Sequence, residues 1–122
     1  MAPNPMQWQV GFVGYGEVGR ILAEDLRAKG VAVQAYDLKL DNERGMPLRE
    51  HAAAHGVVLA ASHAELAAAS DLVISAVTAS QTLAVAQAAS PGLRPLAWFV
   101  DFNSASPGAK VHAAAAVMSH VP

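Results

Sequence analysis

The sequence predicts an α/β fold, a three-layer doubly wound parallel sheet with strand order 3-2-1-4-5, from three observations. Short apolar runs alternate five times with segments of helical pattern. The stretches joining successive runs have the length of crossovers, which parallel strands require and which the right-handed rule winds in few ways. A chain of 122 residues, 53% hydrophobic and 15% charged, suits one domain with one core and excludes global disorder. There is no internal repeat, low-complexity linker or shift in composition, so residues 8–122 are expected to form one unit after a short proline-rich lead over residues 1–7.

Each element has its own reason. Residues 8–13 read as a strand, because Val10, Phe12 and Val13 are too apolar for a half-exposed edge. From Glu17 a helix follows, with Val18, Ile21, Leu22 and Leu26 expected on its inner face and Arg20, Glu24 and Arg27 away from it; Gly30 supplies a left-handed stop. Residues 31–36 form the second strand, ending at Asp37, and the polar residues 39–45 connect it to a helix over residues 47–55 that Gly56 closes. Residues 57–60 make a short third strand. Ser62-His63-Ala64-Glu65 has the spacing of a capping box for a brief helix ending near Ala69. Residues 72–77 are the fourth strand, with a helix from about Ser80 to Ala89 behind it. Ser90-Pro91-Gly92 breaks the chain before a fifth strand over residues 98–101, and Pro107 opens a last alanine-rich helix running to about His120.

Charge and composition exclude several functions. A formal net charge of -2 with eight scattered Lys and Arg gives no basic face for nucleic acid. No apolar run approaches the ~18 residues that span a bilayer, and residues 1–7 lack the pattern of a secretory signal. Zero cysteines exclude disulfides, thiolate nucleophiles and thiolate metal sites; a soluble cytoplasmic protein is expected, whose redox chemistry would need a borrowed cofactor.

The chemistry sits in Gly14-x-Gly16-x-x-Gly19, at the junction of the first strand and its helix. Glycine destabilises both elements, so three of them here need a cause. Gly14 allows a tight turn, Gly16 lets the backbone approach a pyrophosphate with no Cβ in the way, and Gly19 lets the helix pack closely. The first-turn amides, from Glu17 through Val18 and Gly19, would then face the phosphate charges at the positive end of the helix dipole. The Glu17 side chain is expected in solvent; that of Tyr15 would pack on the cofactor or stand exposed in the turn. Asp37 lies 18 residues after Gly19, followed by Leu38 and Lys39, where the adenosine ribose is expected in such a Rossmann-type unit. A carboxylate there accepts from the ribose hydroxyls and repels a 2′-phosphate, which favours NAD. Lys39 and Arg44 would partly offset that repulsion, leaving NADP as the second candidate.

Gly11-Phe12-Val13-Gly14-Tyr15-Gly16-Glu17-Val18-Gly19, Tyr36-Asp37, the segment from Asp71 to Thr78 and Asp101-Phe102-Asn103-Ser104-Ala105-Ser106-Pro107 together resemble the N-terminal domain of the β-hydroxyacid dehydrogenases, the family of 3-hydroxyisobutyrate and 6-phosphogluconate dehydrogenases. The resemblance covers nearly the whole chain. It implies hydride exchange between NAD(P) and a β-hydroxyacid, or the related semialdehyde or keto acid. It places Val77 and Thr78 along the cofactor toward the nicotinamide, with Asn103 and Ser104 reaching the nicotinamide ribose and substrate. The family pattern has a hydroxyl residue where Asn103 stands and commonly a proline where Thr78 stands, and Asn103-Ser104 also reads as a capping turn. The resemblance further implies an all-helical domain carrying a catalytic lysine. Lys29, Lys39 and Lys110 match no such motif, so these residues are expected to be a domain fragment or truncated product, binding dinucleotide weakly and turning over nothing alone. Helical surfaces that the further domain would cover are candidates for homodimer formation.

Two rival functions are a nucleotide-sensing regulatory domain of an ion-transport system and an S-adenosylmethionine-dependent methyltransferase. The first is disfavoured by Ala60-Ala61-Ser62 after the third strand, the second by Phe12 and Val13 where an acid is usual. His51 and His55 have the four-residue spacing of metal ligands, but no third ligand is evident in the sequence; both are expected to face solvent, and no metal is assigned.

Overall fold

The computed structural model describes residues 7–78, 81–94 and 97–102. In chain order they form β1 (Gln9–Val13), α1 (Glu17–Ala28), β2 (Ala32–Tyr36), two short 3-10 turns (Leu38–Asp41 and Glu43–Gly45), α2 (Met46–His55), β3 (Val58–Leu59), α3 (His63–Ala68), β4 (Leu72–Ser75), α4 (Thr82–Ala89), a 3-10 turn (Ser90–Gly92) and β5 (Trp98–Asp101). All but Gln7 of the expected lead over residues 1–7, the residues Asn103 and Ser104, and the last helix lie outside the described residues.

The sheet is five-stranded, with the expected order β3-β2-β1-β4-β5 and every pairing parallel. β1 is the hub. Val13 stands opposite Tyr36 on one side and Ser75 on the other, so the carboxyl ends of β1, β2 and β4 finish level. Bonds past the strand ends, Gly14 N–H to Tyr36 O at 2.9 Å and Ala76 N–H to Val13 O at 2.8 Å, hold the three exits together. Phe12, Val33, Ala35 and Val73 are almost wholly buried in the centre of the sheet, as parallel strands covered on both faces require. α1 and α2 pack together, and so do α3 and α4.

Most expected boundaries hold within two residues, and the polar connection after β2 is wound into two 3-10 turns. Gly30 and Gly56 take the left-handed conformation that ends α1 and α2. Ser62 Oγ accepts from Glu65 N–H at 3.0 Å, while the Glu65 carboxylate reaches the Ala61 amide, a capping box displaced by one residue.

The rotation of α1 corrects the sequence reading. Its buried residues are Gly19 and Ala23, with Leu22 and Leu26 partly buried, while Val18 and Ile21 are 57% and 53% exposed. The cause is Gly19, whose bare Cα lies so close to the Gly14 carbonyl that any Cβ there would overlap it. That contact fixes the 19-22-23-26 stripe inward and turns positions 18 and 21 outward. Among the described residues, no helix is long and apolar enough to cross a membrane.

Candidate functional site

A cleft of about 410 Å³ opens beyond the carboxyl ends of the neighbouring strands β1 and β4, whose next strands lie on opposite sides of the pair. This is the topological switch point, at which the crossovers leave in opposite directions and a crevice remains beyond the strand ends. One wall is the start of α1, with Gly14, Gly16, Glu17 and Val18; another is the end of β2, with Tyr36, Asp37, Leu38 and Lys39. Val77 and Thr78 line the β4 side, together with Gln81 and Val85 of the following segment. Nine of the twelve cofactor-side residues expected from sequence therefore share one cleft. Of the others, Tyr15 and Gly19 lie behind it and Asn103 lies outside the described residues.

The glycines divide their work as their surroundings dictate. Gly14 has φ +93°, and a Cβ on it would overlap the Ala76 carbonyl and stand 2.8 Å from Val77 Cγ1. Gly19 is required by the close approach of α1 already described. Gly16 differs from both: it is the N-cap of α1 with φ -79° and ψ -156°, and among the described residues a Cβ on it would meet no atom within 4 Å. Glycine at 16 is thus not demanded by the packing of the described residues. The space above it is open to the cleft, and among the described residues no side chain caps the helix, so its first-turn amides can accept an anion there. Glu17 is exposed, as expected, and its charge complements the helix dipole.

Asp37 does more than was read from the sequence. Its Oδ2 accepts from Tyr15 N–H at 2.8 Å and its Oδ1 from Lys39 N–H at 2.9 Å, so one carboxylate ties the glycine loop to the exit of β2. A carboxylate has about four acceptor positions, which leaves capacity facing the cleft. Lys39 lines the cleft beside it, whereas Arg44 lies in the exposed turn beyond, where its amide bonds Asn42.

His63, read only as part of a capping box, is a lining residue that the sequence reading missed. Its ring stands edge-on to Tyr36 with centroids 4.8 Å apart. Burial pushes its pKa below the ordinary histidine value, against a smaller upward pull from Asp37, and the cleft side of α3 thus presents a neutral imidazole.

The Tyr15 side chain neither packs in the cleft nor stands exposed. It is fully buried, and its hydroxyl meets His51 Nδ1, with the rings edge to face at 5.2 Å. Burial pushes the phenol pKa up to about 12. His51 is likewise no solvent-facing residue: its side chain is 13% exposed, and its Nε2 lies 2.7 Å from Glu24 Oε1 of α1. The turn of α1 that exposes Ile21 is the one that brings Glu24 onto α2. Glu24 is the third candidate ligand that was not evident from the histidine spacing.

The sequence profile of the NAD binding domain of 6-phosphogluconate dehydrogenase matches residues 9–120. No curated protein matches the chain. Among solved structures, a conserved hypothetical protein from Sinorhizobium meliloti is 34% identical with a TM-score of 0.86, over 93% of this chain and 38% of that one. The 3-hydroxyisobutyrate dehydrogenase of Mycobacterium tuberculosis, solved with L-serine, is 26% identical with a TM-score of 0.80, over 94% of this chain and 38% of that one. An imine reductase from Pseudomonas sp., 22% identical with a TM-score of 0.76 over 93% and 38%, shares the fold. The chain thus spans 38% of the length of these proteins. It belongs to the family of the 6-phosphogluconate dehydrogenase NAD-binding domain, the family its motifs resemble.

Proposed function

We propose that the cleft holds NAD in preference to NADP, and that the chain serves an oxidoreductase exchanging hydride with a β-hydroxyacid or the related semialdehyde or keto acid. The observation that carries the reading is the unfilled space over Gly16, at an uncapped helix N-terminus, facing Asp37 across the same cleft. A pyrophosphate fits the first feature and a ribose diol the second. Bound there, the dinucleotide supplies the hydride chemistry, which no side chain can supply.

The chain's own residues bind and orient. The amides at 16–18 receive the pyrophosphate, and the carboxylate of Asp37 accepts from the ribose hydroxyls while disfavouring a 2′-phosphate. Leu38 and Lys39 flank that ribose, and Val77 and Thr78 guide the nicotinamide end. Asn103 and Ser104 are the substrate-side candidates by family pattern. Holding a cofactor is not catalysis, which also needs proton transfer and substrate orientation. With no lysine in the family's catalytic motif, these 122 residues are expected to bind without turnover. The family match favours a dehydrogenase domain over a nucleotide-sensing one.

Thermal denaturation with NAD, NADH, NADP and S-adenosylmethionine tests the reading. A ligand at a hundredfold its Kd adds about 2.7 kcal/mol of stability. NAD and NADH should raise the midpoint, NADP should raise it less, and S-adenosylmethionine should leave it unchanged. A response to S-adenosylmethionine, or to no nucleotide at all, would overturn the proposal.

A further inference from the structure

A second constellation lies behind the glycine loop, away from the cleft lining. His51 and His55 stand four residues apart on α2, which stacks their imidazoles on one face with centroids 4.4 Å apart. Glu24 reaches across from α1, and its single oxygen Oε1 lies 2.7 Å from His51 Nε2 and 3.3 Å from His55 Nε2. We propose that Glu24, His51 and His55 form a binding site for a divalent cation of the zinc class, clamping α1 to α2 beneath the loop that carries Tyr15. The proposal does not depend on what the cleft binds.

Four features support it. The ligand atoms all lie within 4.8 Å of one another. Zinc bonds of about 2.0–2.1 Å in a tetrahedron require donors about 3.3 Å apart, so small side-chain rotations suffice to seat the ion. Two imidazole nitrogens and one carboxylate oxygen suit zinc, cobalt, nickel or copper, whereas calcium and magnesium demand six or more oxygens.

The second nitrogen of His51 is already provided for. A metal-ligating histidine generally gives its other N–H to a fixed partner, which sets tautomer and ring orientation. Here that partner is the buried hydroxyl of Tyr15, whose main-chain amide is itself held by Asp37. With Nε2 on the cation, Nδ1–H donates to the tyrosine oxygen; with no cation, the same hydroxyl donates to Nδ1 while Nε2–H donates to Glu24.

Access is also suitable. The side chains of His55 and Glu24 are 39% and 45% exposed, so an ion can enter and water can complete its coordination, while His51 forms the more buried floor. Three converging donors on two different helices, with an outer-shell partner in place, go beyond a histidine pair on one helix surface.

The test uses the full 122-residue chain without a polyhistidine tag. Zinc is titrated against a chromogenic chelator, with magnesium as the control, and cobalt substitution reports coordination by its visible absorption. One zinc per chain should bind, magnesium should not compete, and the cobalt protein should show the intense band of a four-coordinate site. Glu24→Gln and His55→Ala should each weaken zinc by at least about tenfold, as changes at metal sites do. Both variants leave the Tyr15–His51 contact in place, so their metal-free circular dichroism spectra should match the parent and show the fold intact. Tyr15→Phe should lower affinity while cobalt keeps its four-coordinate band, marking Tyr15 as a positioning residue. The absence of zinc binding, or binding that survives Glu24→Gln unchanged and therefore reflects a histidine pair alone, would overturn the proposal.

Discussion

Adding one methyl group at Gly16 and at Gly14 should have opposite effects, because only one of these positions is fixed by the protein's own packing. At Gly16 a Cβ meets nothing within 4 Å among the described residues, and φ -79° lies in the ordinary negative range. Gly16→Ala should therefore leave the fold intact. Alanine is a poorer N-cap than glycine, which offsets the gain of about 0.4–1 kcal/mol from restricting the unfolded chain, so stability should change by less than about 1 kcal/mol. The methyl group would stand in the space a pyrophosphate must enter, costing at least one charge-assisted hydrogen bond worth about 1.5–3 kcal/mol, or roughly 10- to 100-fold in NAD affinity. Gly14→Ala meets two penalties: a positive φ costing about 1–2 kcal/mol and an overlap with the Ala76 carbonyl costing about 1–3 kcal/mol. A loss of about 2–5 kcal/mol is a large part of the stability of an ordinary domain. Urea denaturation gives the first quantity and calorimetric titration with NAD the second. Should Gly16→Ala unfold the chain, or bind NAD as tightly as the parent, the assignment of that space to a ligand is wrong.

Three further outcomes follow from named contacts. Asp37→Ala should cost about 1–3 kcal/mol in denaturant, because the Tyr15 amide loses its acceptor, and should also narrow the gap between NAD and NADP binding in titration. The Tyr15 phenol is held neutral up to about 12, whereas an unfolded tyrosine ionises near 10; stability present below pH 10 is lost as pH rises through that window. Tyr15→Phe should flatten that alkaline loss in denaturation curves taken across the range. Thr82 is buried, and its hydroxyl has no partner among the described residues, so Thr82→Val should be neutral or stabilising by up to about 1 kcal/mol in thermal melts.

The sheet and its order were legible because each strand announces itself locally: the continuous apolar run of β1, the glycine stops after α1 and α2, and the short crossovers between them. The lining of the cleft was legible for the same reason, since Gly14, Gly16, Asp37 and Val77 lie at strand ends that register brings level. What escaped depends on helix phase. Val18 and Ile21 are as apolar as the residues that do face inward, and the close seat of Gly19 on Gly14 is what turns them out. Tyr15, Glu24 and His51 are separated by up to 36 residues, so their meeting follows from the angle between α1 and α2, which no local pattern encodes. His63 was missed because a capping box explains its position without reference to the cleft.

The most direct measurement is a nuclear magnetic resonance titration of the labelled chain with NAD, following backbone amides. Saturable shifts are expected, centred on Gly16, Glu17 and Val18, with Asp37 and Leu38 moving in step and the surfaces of α3 and α4 away from the cleft unaffected. Shifts that leave the amides of the α1 N-terminus still, whatever else moves, would contradict a pyrophosphate site there.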